Sequence, residues 1–188
     1  MNLLVSGGGA RDPNLLSCAD KNIPTGDLLM KKNILLALCL SLACILAFGH
    51  GNQPGKAELA VPGGTVTIEY GSPDLNGRDV STLLQPGKVW RLGADRPTNL
   101  DTPVALKFGD ATIQPGKYVL RARLDEQSQW WLEIAQGTTA AGKTQLKKTQ
   151  APNSEAHLKI TMEGKPQAAV LKIHWGTQLL ETNFAVAQ

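Results

Sequence analysis

The sequence predicts an all-β domain, an antiparallel β-sandwich of about eight or nine short strands, preceded by a signal peptide. From residue 57 onward, apolar side chains recur at every second position, which is the period of a strand with one buried face. Turn residues separate these segments, and no window of a dozen residues keeps a helical stripe. Two packed sheets are preferred because one open sheet would leave an apolar face in water. A partly closed β-barrel is the alternative.

The chain begins with residues that do not resemble a folded segment. Residues 1–29 contain scattered Gly, Asp, Asn and Pro without a sustained apolar period. They run directly into a second methionine, Met30, which opens a charged pair and an apolar run. We therefore interpret residues 1–29 as a mis-assigned leader and Met30 as the true start.

Residues 30–49 are predicted to be a signal peptide. The apolar run covers residues 34–48, which is shorter than the ~20 residues that a membrane-spanning helix needs. Small residues at Ala47 and Gly49 stand where a signal peptidase reads, which predicts cleavage between Gly49 and His50. An uncleaved N-terminal anchor is the alternative.

The cysteines agree with export. Cys18 lies in the leader, Cys39 and Cys44 lie in the apolar run, and none follows. The mature domain can therefore form no internal disulfide and depends on burial for its stability. We predict a periplasmic or secreted protein. The segment ending at Cys44 weakly resembles a lipoprotein acylation site, so a membrane-anchored lipoprotein is the alternative localisation.

Residues 50–56 are polar and broken by Gly and Pro, and they are predicted to be a linker before a single domain over residues 57–188. A domain of this length can bury one core without help. Turn-forming residues connect its strand-like segments, and no helical crossover lies between them. This predicts antiparallel pairing. The strands are predicted at residues 65–70, 104–108, 111–113, 117–124, 130–134, 144–149, 156–162, 168–175 and 178–187. The segment at 144–149 is predicted to be an exposed edge, because its lysines would discourage pairing with another chain.

Charge is close to balanced in the mature part. Four of the nineteen Lys and Arg and three of the sixteen Asp and Glu precede residue 50, which leaves fifteen against thirteen, a net charge of +2. The basic residues form no run or stripe, which argues against nucleic acid as a partner. Contact with a membrane is expected only through the signal peptide or a lipid anchor.

Several short segments of the chain are similar to a bacterial family of unknown function, DUF2911. The segments are Thr67-Ile68-Glu69-Tyr70 with Pro73 and Gly77-Arg78, Val89-Trp90-Arg91-Leu92-Gly93-Ala94, Ile113-Gln114-Pro115-Gly116-Lys117-Tyr118-Val119-Leu120, Trp130, and Trp175-Gly176-Thr177. The resemblance spans residues from about 64 to 186 and implies an exported β domain with no established activity. Where the family continues with Asn-Glu-Ala-Thr, this chain has Asp95-Arg96-Pro97-Thr98, so the usual glutamate is absent.

The candidate ligand-binding residues lie in one early part of the domain. Residues 70–78 and 89–98 combine arginine, glycine, proline and aromatic side chains, and they include Tyr70, Arg78, Arg91 and Asp95. A guanidinium offers five donors in a planar fork, which suits a carboxylate or neighbouring hydroxyls. A small polar ligand, a glycan or an envelope protein is the expected partner. The simpler interpretation is that both arginines bond carboxylates of their own fold.

Two tryptophans are assigned to opposite environments. Trp90 alternates with Arg91 and is predicted to belong to the core. Trp131 follows the inward-facing Trp130, so it should face outward. There it would pack against a loop or contact a ligand or partner.

Catalysis and cofactors find little support in the sequence. No zinc-type histidine spacing occurs, and the mature part has no cysteine, so we expect no metal and no cofactor. We predict a non-enzymatic binding or structural module of the cell envelope. The alternative is a hydrolase acting on envelope glycans, in which Asp95 would work with Glu69 or Asp101; it requires two carboxylates within about 5 to 9.5 Å.

Overall fold

The computed structural model describes residues 51–187, which fall within one compact unit. These residues form ten strands and one helical turn, α1 (Val80–Leu83). The strands are β1 (Gln53–Val61), β2 (Gly64–Ser72), β3 (Val89–Trp90), β4 (Thr98–Thr102), β5 (Leu106–Phe108), β6 (Ala111–Ile113), β7 (Gly116–Leu124), β8 (Trp130–Gln136), β9 (Thr139–Lys165) and β10 (Ala168–Val186). The predicted all-β class is confirmed.

All strand pairs in the described part of the chain are antiparallel. Hydrogen-bonded neighbours follow the order β1-β2-β4-β7-β8-β9-β10-β5-β6, and β3 attaches to β7. The path ends at β1 on one side and β6 on the other. It does not close, so the partly closed barrel is not observed.

The long strand β9 lets the sheet fold over on itself. Its first part pairs with β8, whereas its later part pairs with β10. Side chains from both parts of the sheet pack in one core, to which Ile68 of β2 and Ile160 of β9 both belong. Across this core the hydroxyl of Tyr70 accepts a hydrogen bond from the backbone N–H of Ile160, at 2.9 Å. The predicted antiparallel sandwich is therefore confirmed.

The alternating pattern correctly predicted the buried faces of most strands. These faces supply side chains that are almost fully removed from water, as the period of two requires. They include Val66, Ile68, Tyr70, Leu106, Phe108, Tyr118, Leu120, Ala122, Trp130, Leu132, Ile134, Leu158, Ile160, Met162, Leu171, Ile173, Trp175, Leu180 and Phe184.

Three strands, β1, β3 and β4, lie where the sequence predicted none. β3 (Val89–Trp90) is a two-residue strand that pairs with β7. β1 begins at Gln53, so the last four residues of the predicted linker (50–56) belong to the sheet. β4 (Thr98–Thr102) lies between β2 and β7 and pairs with both. The linker prediction failed there because strand pairing uses backbone groups: Gln53 to Lys56 pair with β2 although their side chains are mostly exposed.

The predictions for the end of the chain were too fragmented. Residues 144–149, predicted as an exposed edge, are part of β9 and lie between β8 and β10, so the edge prediction was wrong. The two predicted strands at 168–175 and 178–187 are one strand, β10, with an irregularity at Gly176. A glycine followed by Thr-Gln was interpreted as a turn, but the chain continues through it as a bulge.

The predictions for the leader lie outside the described residues. They comprise the mis-assigned residues 1–29, the signal peptide at 30–49, cleavage between Gly49 and His50, and acylation of Cys44. Among residues 51–187, the structure contains no helix with the length and apolar character needed to cross a membrane.

Candidate functional site

A cleft of about 630 Å³ lies between the β9–β10 pair and the connection that follows β2. Sites for small molecules typically have volumes of about 300–1,000 Å³. Most of the lining side chains are polar. The lining residues are Leu75, Arg78, Asp79, Val80, Ser81, Lys148, Thr149, Gln150, Ser154, Gly176, Thr177 and Gln178.

The floor of the cleft continues an inward row of the sheet past the core, with polar side chains that are exposed (Lys148, Gln150) or half-buried (Gln178). Leu146 of β9 and Leu180 of β10 are buried in the core. Lys148 lies opposite Leu180, and Gln150 lies opposite Gln178. Because opposed residues share a face and the side-chain period is two, all three polar residues continue the leucine row. The inner row therefore changes from apolar to polar where the cleft begins.

Both strands are irregular beside this floor. Beyond the Gln150–Gln178 pair, β9 has four residues, 151–154, where β10 has only Thr177. The preceding residue of β10, Gly176, is buried and has a left-handed φ of 60°. Bulges of this kind redirect side chains and are frequent beside functional sites. Here the bulge interrupts the regular pairing of β9 with β10 beside the cleft.

Arg78 contributes a guanidinium that its own loop holds in place. Its Nε donates to the carbonyl oxygen of Leu75 at 2.9 Å, and Nη2 donates to that of Asp74 at 3.3 Å. Two of the five guanidinium N–H groups are thereby used. The remaining three have no partner among the residues that the structure describes.

Asp79 is the acidic residue of the cleft lining, and its carboxylate is already bonded. It forms the N-cap of α1, where Oδ1 accepts a hydrogen bond from the backbone N–H of Ser81 at 2.8 Å. This backbone bond, followed by a bond from the Ser81 side chain, lowers the pKa of Asp79. Asp79 is therefore an ionised capping group, and it positions the helical turn that forms one wall.

Arg91 and Asp95, which the sequence placed with Arg78, do not line this cleft. Both side chains are exposed. Asp95 accepts a hydrogen bond from Nδ2 of Asn52 at 3.0 Å, and within residues 51–187 it forms no ion pair with either arginine. Of the predicted Arg/Asp patch, only Arg78 reaches the cleft.

The segment around Gly93 has a structural role. The backbone N–H of Ala94 donates to the carbonyl oxygen of Gly71 at 3.1 Å, so two chain segments meet backbone to backbone. A Cβ on Gly71 would overlap the carbonyl of Ala94, and one on Gly93 would lie 2.7 Å from the oxygen of Gly71. Leu92 is fully buried with a left-handed φ of 57°, and Thr98 Oγ1 donates to its carbonyl at 2.8 Å. The glycines therefore permit a close contact that larger residues would prevent.

Tyr70, another predicted ligand residue, is buried with 4% exposure. Burial raises the pKa of its hydroxyl, and the hydrogen bond from the backbone of Ile160 partly offsets the rise. Its ring also lies against Gly55 of β1, where a Cβ would overlap it. Neither the ring nor the hydroxyl is open to a ligand. The ring packs against β1, and the hydroxyl connects β2 to β9 across the core.

We expect Tyr70→Phe to lower the free energy of unfolding by about 1–3 kcal/mol, since it leaves the N–H of buried Ile160 without its acceptor. Urea unfolding measures the loss, and faster exchange of the Ile160 amide locates it. Tyr118→Phe is the matched control: that hydroxyl donates to the carbonyl of exposed Gln114, which water can then satisfy. Equal losses in the two variants would contradict the assigned role of Tyr70.

Trp131 faces away from the core, and its indole is already occupied. Nε1 donates to Oδ2 of Asp125 at 2.8 Å, and Nζ of Lys143 lies 4.1 Å from the ring centroid. The hydrogen bond from Trp131 is the largest cause of the lowered pKa of Asp125. The side chain thus packs against a loop, which was the simpler of the two interpretations.

The carboxylates of the hydrolase alternative are placed apart from the main cleft. Glu69 and Asp101 line a second cleft of about 540 Å³ on the outer face of β2 and β4. Asp101 lies 3.6 Å from Nζ of Lys117, and Asp95 belongs to neither cleft. An exposed carboxylate beside a lysine favours an ion pair over acid–base work.

Within residues 51–187, no group of three or more His, Cys, Asp or Glu side chains is arranged to hold a metal ion.

Three residues of the cleft floor, Lys148, Gln150 and Gln178, were not identified from the sequence. One signal was present: extending the inward row of Leu146 by two and four residues gives Lys148 and Gln150. Polar residues at core-facing positions are the exception that marks a site.

One of the comparisons with known proteins identifies a family for this chain. A family model described as a protein of unknown function, DUF2911, matches residues 53–184. No curated protein and no solved structure is significantly similar to the chain. Two of the segments that carry the family resemblance, Gly77-Arg78 and Trp175-Gly176-Thr177, meet at the main cleft. The chain belongs to the DUF2911 family.

Proposed function

We propose that this protein is a non-enzymatic binding module of the bacterial cell envelope, exported to the periplasm or secreted, whose site is the 630 Å³ cleft. Its ligand is a small polar molecule of the size of a sugar. Export is supported by the apolar run at residues 34–48, which has the length of a secretory signal.

One observation supports the binding role. The inward row that contains Leu146 and Leu180 changes to the polar residues Lys148, Gln150 and Gln178 where the cleft begins. These side chains lie beyond the packed core and are exposed or half-buried, so they face the open cleft. Polar side chains converging on an open cleft are typical of ligand sites.

The composition of the cleft favours binding over catalysis. Its hydroxyl and amide groups, from Ser154, Thr177 and Gln150 among others, can hydrogen-bond sugar hydroxyls. Asp79 is bonded to Ser81, and the lining contains no second carboxylate with which it could share acid–base work.

The experiment blocks the cleft and follows binding by NMR. Titration of the purified protein with glucose, N-acetylglucosamine and glucuronate should give saturable shifts in the amides of Lys148, Gln150 and Gln178 for at least one sugar. Ser154→Trp, which fills the cleft from an exposed position, should abolish them. Thr112→Trp, an exposed position on β6 away from the cleft lining, should leave them unchanged. Shifts that map elsewhere, or none for any sugar, would refute the proposed site.

A further inference from the structure

We infer that the cleft selects a ligand that carries a carboxylate or phosphate group, held between Arg78 and Lys148. This inference rests on the proposed function and adds the charge of the ligand to it. The two cations belong to different elements: Arg78 follows β2, and Lys148 lies on β9, yet both line the same cleft. A sugar-sized molecule with one anionic group would satisfy both.

Arg78 has the geometry of an anion-binding group. Its two bonds to the carbonyl oxygens of Asp74 and Leu75 fix the plane of the guanidinium. The three remaining N–H groups keep the fork that matches the paired oxygens of a carboxylate or phosphate. Because the chain already orders this side chain, binding an anion costs less conformational entropy than it would with a free arginine.

Lys148 is one of four lysines on β9 that form no ion pair within the described residues, with Lys143, Lys147 and Lys165, and of these four only Lys148 lines the cleft. Several other lysines of the sheet are paired. Lys56, Lys117, Lys159 and Lys172 each lie within 4.0 Å of a carboxylate oxygen of the same chain. Lys148 has no such partner among the described residues, although it lies opposite buried Leu180.

Lys148 is exposed, so its ammonium group is accessible to a ligand in the cleft. Asp79, the acidic residue of the lining, is ionised and caps α1 through Ser81, and it forms no ion pair with Arg78 or Lys148. The cleft therefore contains two cations without ion-pair partners among residues 51–187, next to neutral hydroxyl and amide groups. An anionic ligand would pair with these two cations, and the neutral groups would bind its hydroxyls.

The test compares three probes with the same ring: glucose, glucuronate and glucose 6-phosphate, each titrated calorimetrically into the purified protein. We expect the two anionic probes to bind at least about tenfold more tightly than glucose at low salt, with the difference shrinking as salt is added. The stronger of the two anionic probes identifies carboxylate or phosphate as the preferred group, and either result supports the inference.

Lys148→Gln should lower the affinity for the anionic probes about tenfold and leave that for glucose unchanged. Lys147→Gln is the matched control, because Lys147 precedes Lys148, is opposed to Glu181 and points to the other face of β9. Arg78→Lys keeps the charge and loses the planar fork, so it should weaken the anionic probes as well. The side chain of Lys148 makes no hydrogen bond within the described chain, so its variant tests binding even if the Arg78 variant misfolds.

Two results would overturn the inference, and they are distinguishable. If glucose binds in the cleft as tightly as glucuronate and glucose 6-phosphate, and Lys148→Gln has no effect, charge selection is refuted while the proposed binding function stands. If none of the three probes binds at all, the proposed function fails together with the inference.

Discussion

Replacing Gly71 with alanine is expected to lower the free energy of unfolding by at least about 3 kcal/mol, which is a large share of the ~5–15 kcal/mol that stabilises a typical domain. A Cβ on Gly71 would overlap the carbonyl of Ala94. That obstacle is backbone, held in place by the hydrogen bond from the Ala94 N–H to the Gly71 oxygen. Since no side chain can rotate away, the segment around Gly93 must separate from β2.

Thermal and urea unfolding measure this loss, with an expected fall in melting temperature of roughly 10 °C or more for a domain of this size. Gly51→Ala provides the control, because a Cβ added to Gly51 would have no atom within 4 Å and the residue has no left-handed φ. The control should unfold like the parent protein. A Gly71→Ala protein that does the same would show that the two segments can separate at little cost.

Gly176→Ala is expected to cost about 2–3 kcal/mol and to disturb the cleft. The residue has a φ of 60°, and the left-handed conformation costs a non-glycine residue roughly 1–2 kcal/mol. The new Cβ would lie 2.8 Å from Cγ2 of Val80 and 3.3 Å from Cδ1 of Leu75. Val80 belongs to α1, so relieving this contact moves the wall of the cleft.

Gly87→Ala separates the two contributions to this cost. Gly87 also has a left-handed φ, 76°, but no atom lies within 4 Å of its added Cβ. It should therefore show only the conformational cost, about 1 kcal/mol. If both variants are destabilised equally in urea unfolding, then Val80 yields freely and Gly176 is not a packing requirement of the cleft.

These glycines change the interpretation of the motifs that carry the family resemblance. The segment 89–98 looked like a binding loop because it combines arginine, glycine and proline with a tryptophan. In the structure its glycine allows close backbone contact with Gly71, and its leucine is fully buried. Glycines and residues with positive φ occur both where two backbone segments make close contact and where a ligand binds. Composition alone therefore does not distinguish these two cases.

The candidate site was predictable only in part. Arg78 was identified from its place in a polar connection, and it lines the cleft. Arg91 and Asp95 were grouped with it by proximity in sequence, but their side chains lie elsewhere. Lys148 was interpreted as part of a charged edge, since a lysine pair in a strand commonly marks one. Its place in the cleft lining depends on the pairing of β9 with β10, which no local pattern specifies.

The sequence by itself determined the all-β class, the antiparallel pairing and most of the buried faces, because alternation with a period of two acts within each strand and needs no distant partner. Only the tertiary structure decided that β9 and β10 run on through an irregular segment, that β1, β3 and β4 complete the sheet, and that Arg78 and Lys148 line one cleft. The physical reason is that register, bulges and clefts arise between segments far apart in the chain. Their energies come from contacts between two distant segments, and a local stretch of sequence contains only one of those segments.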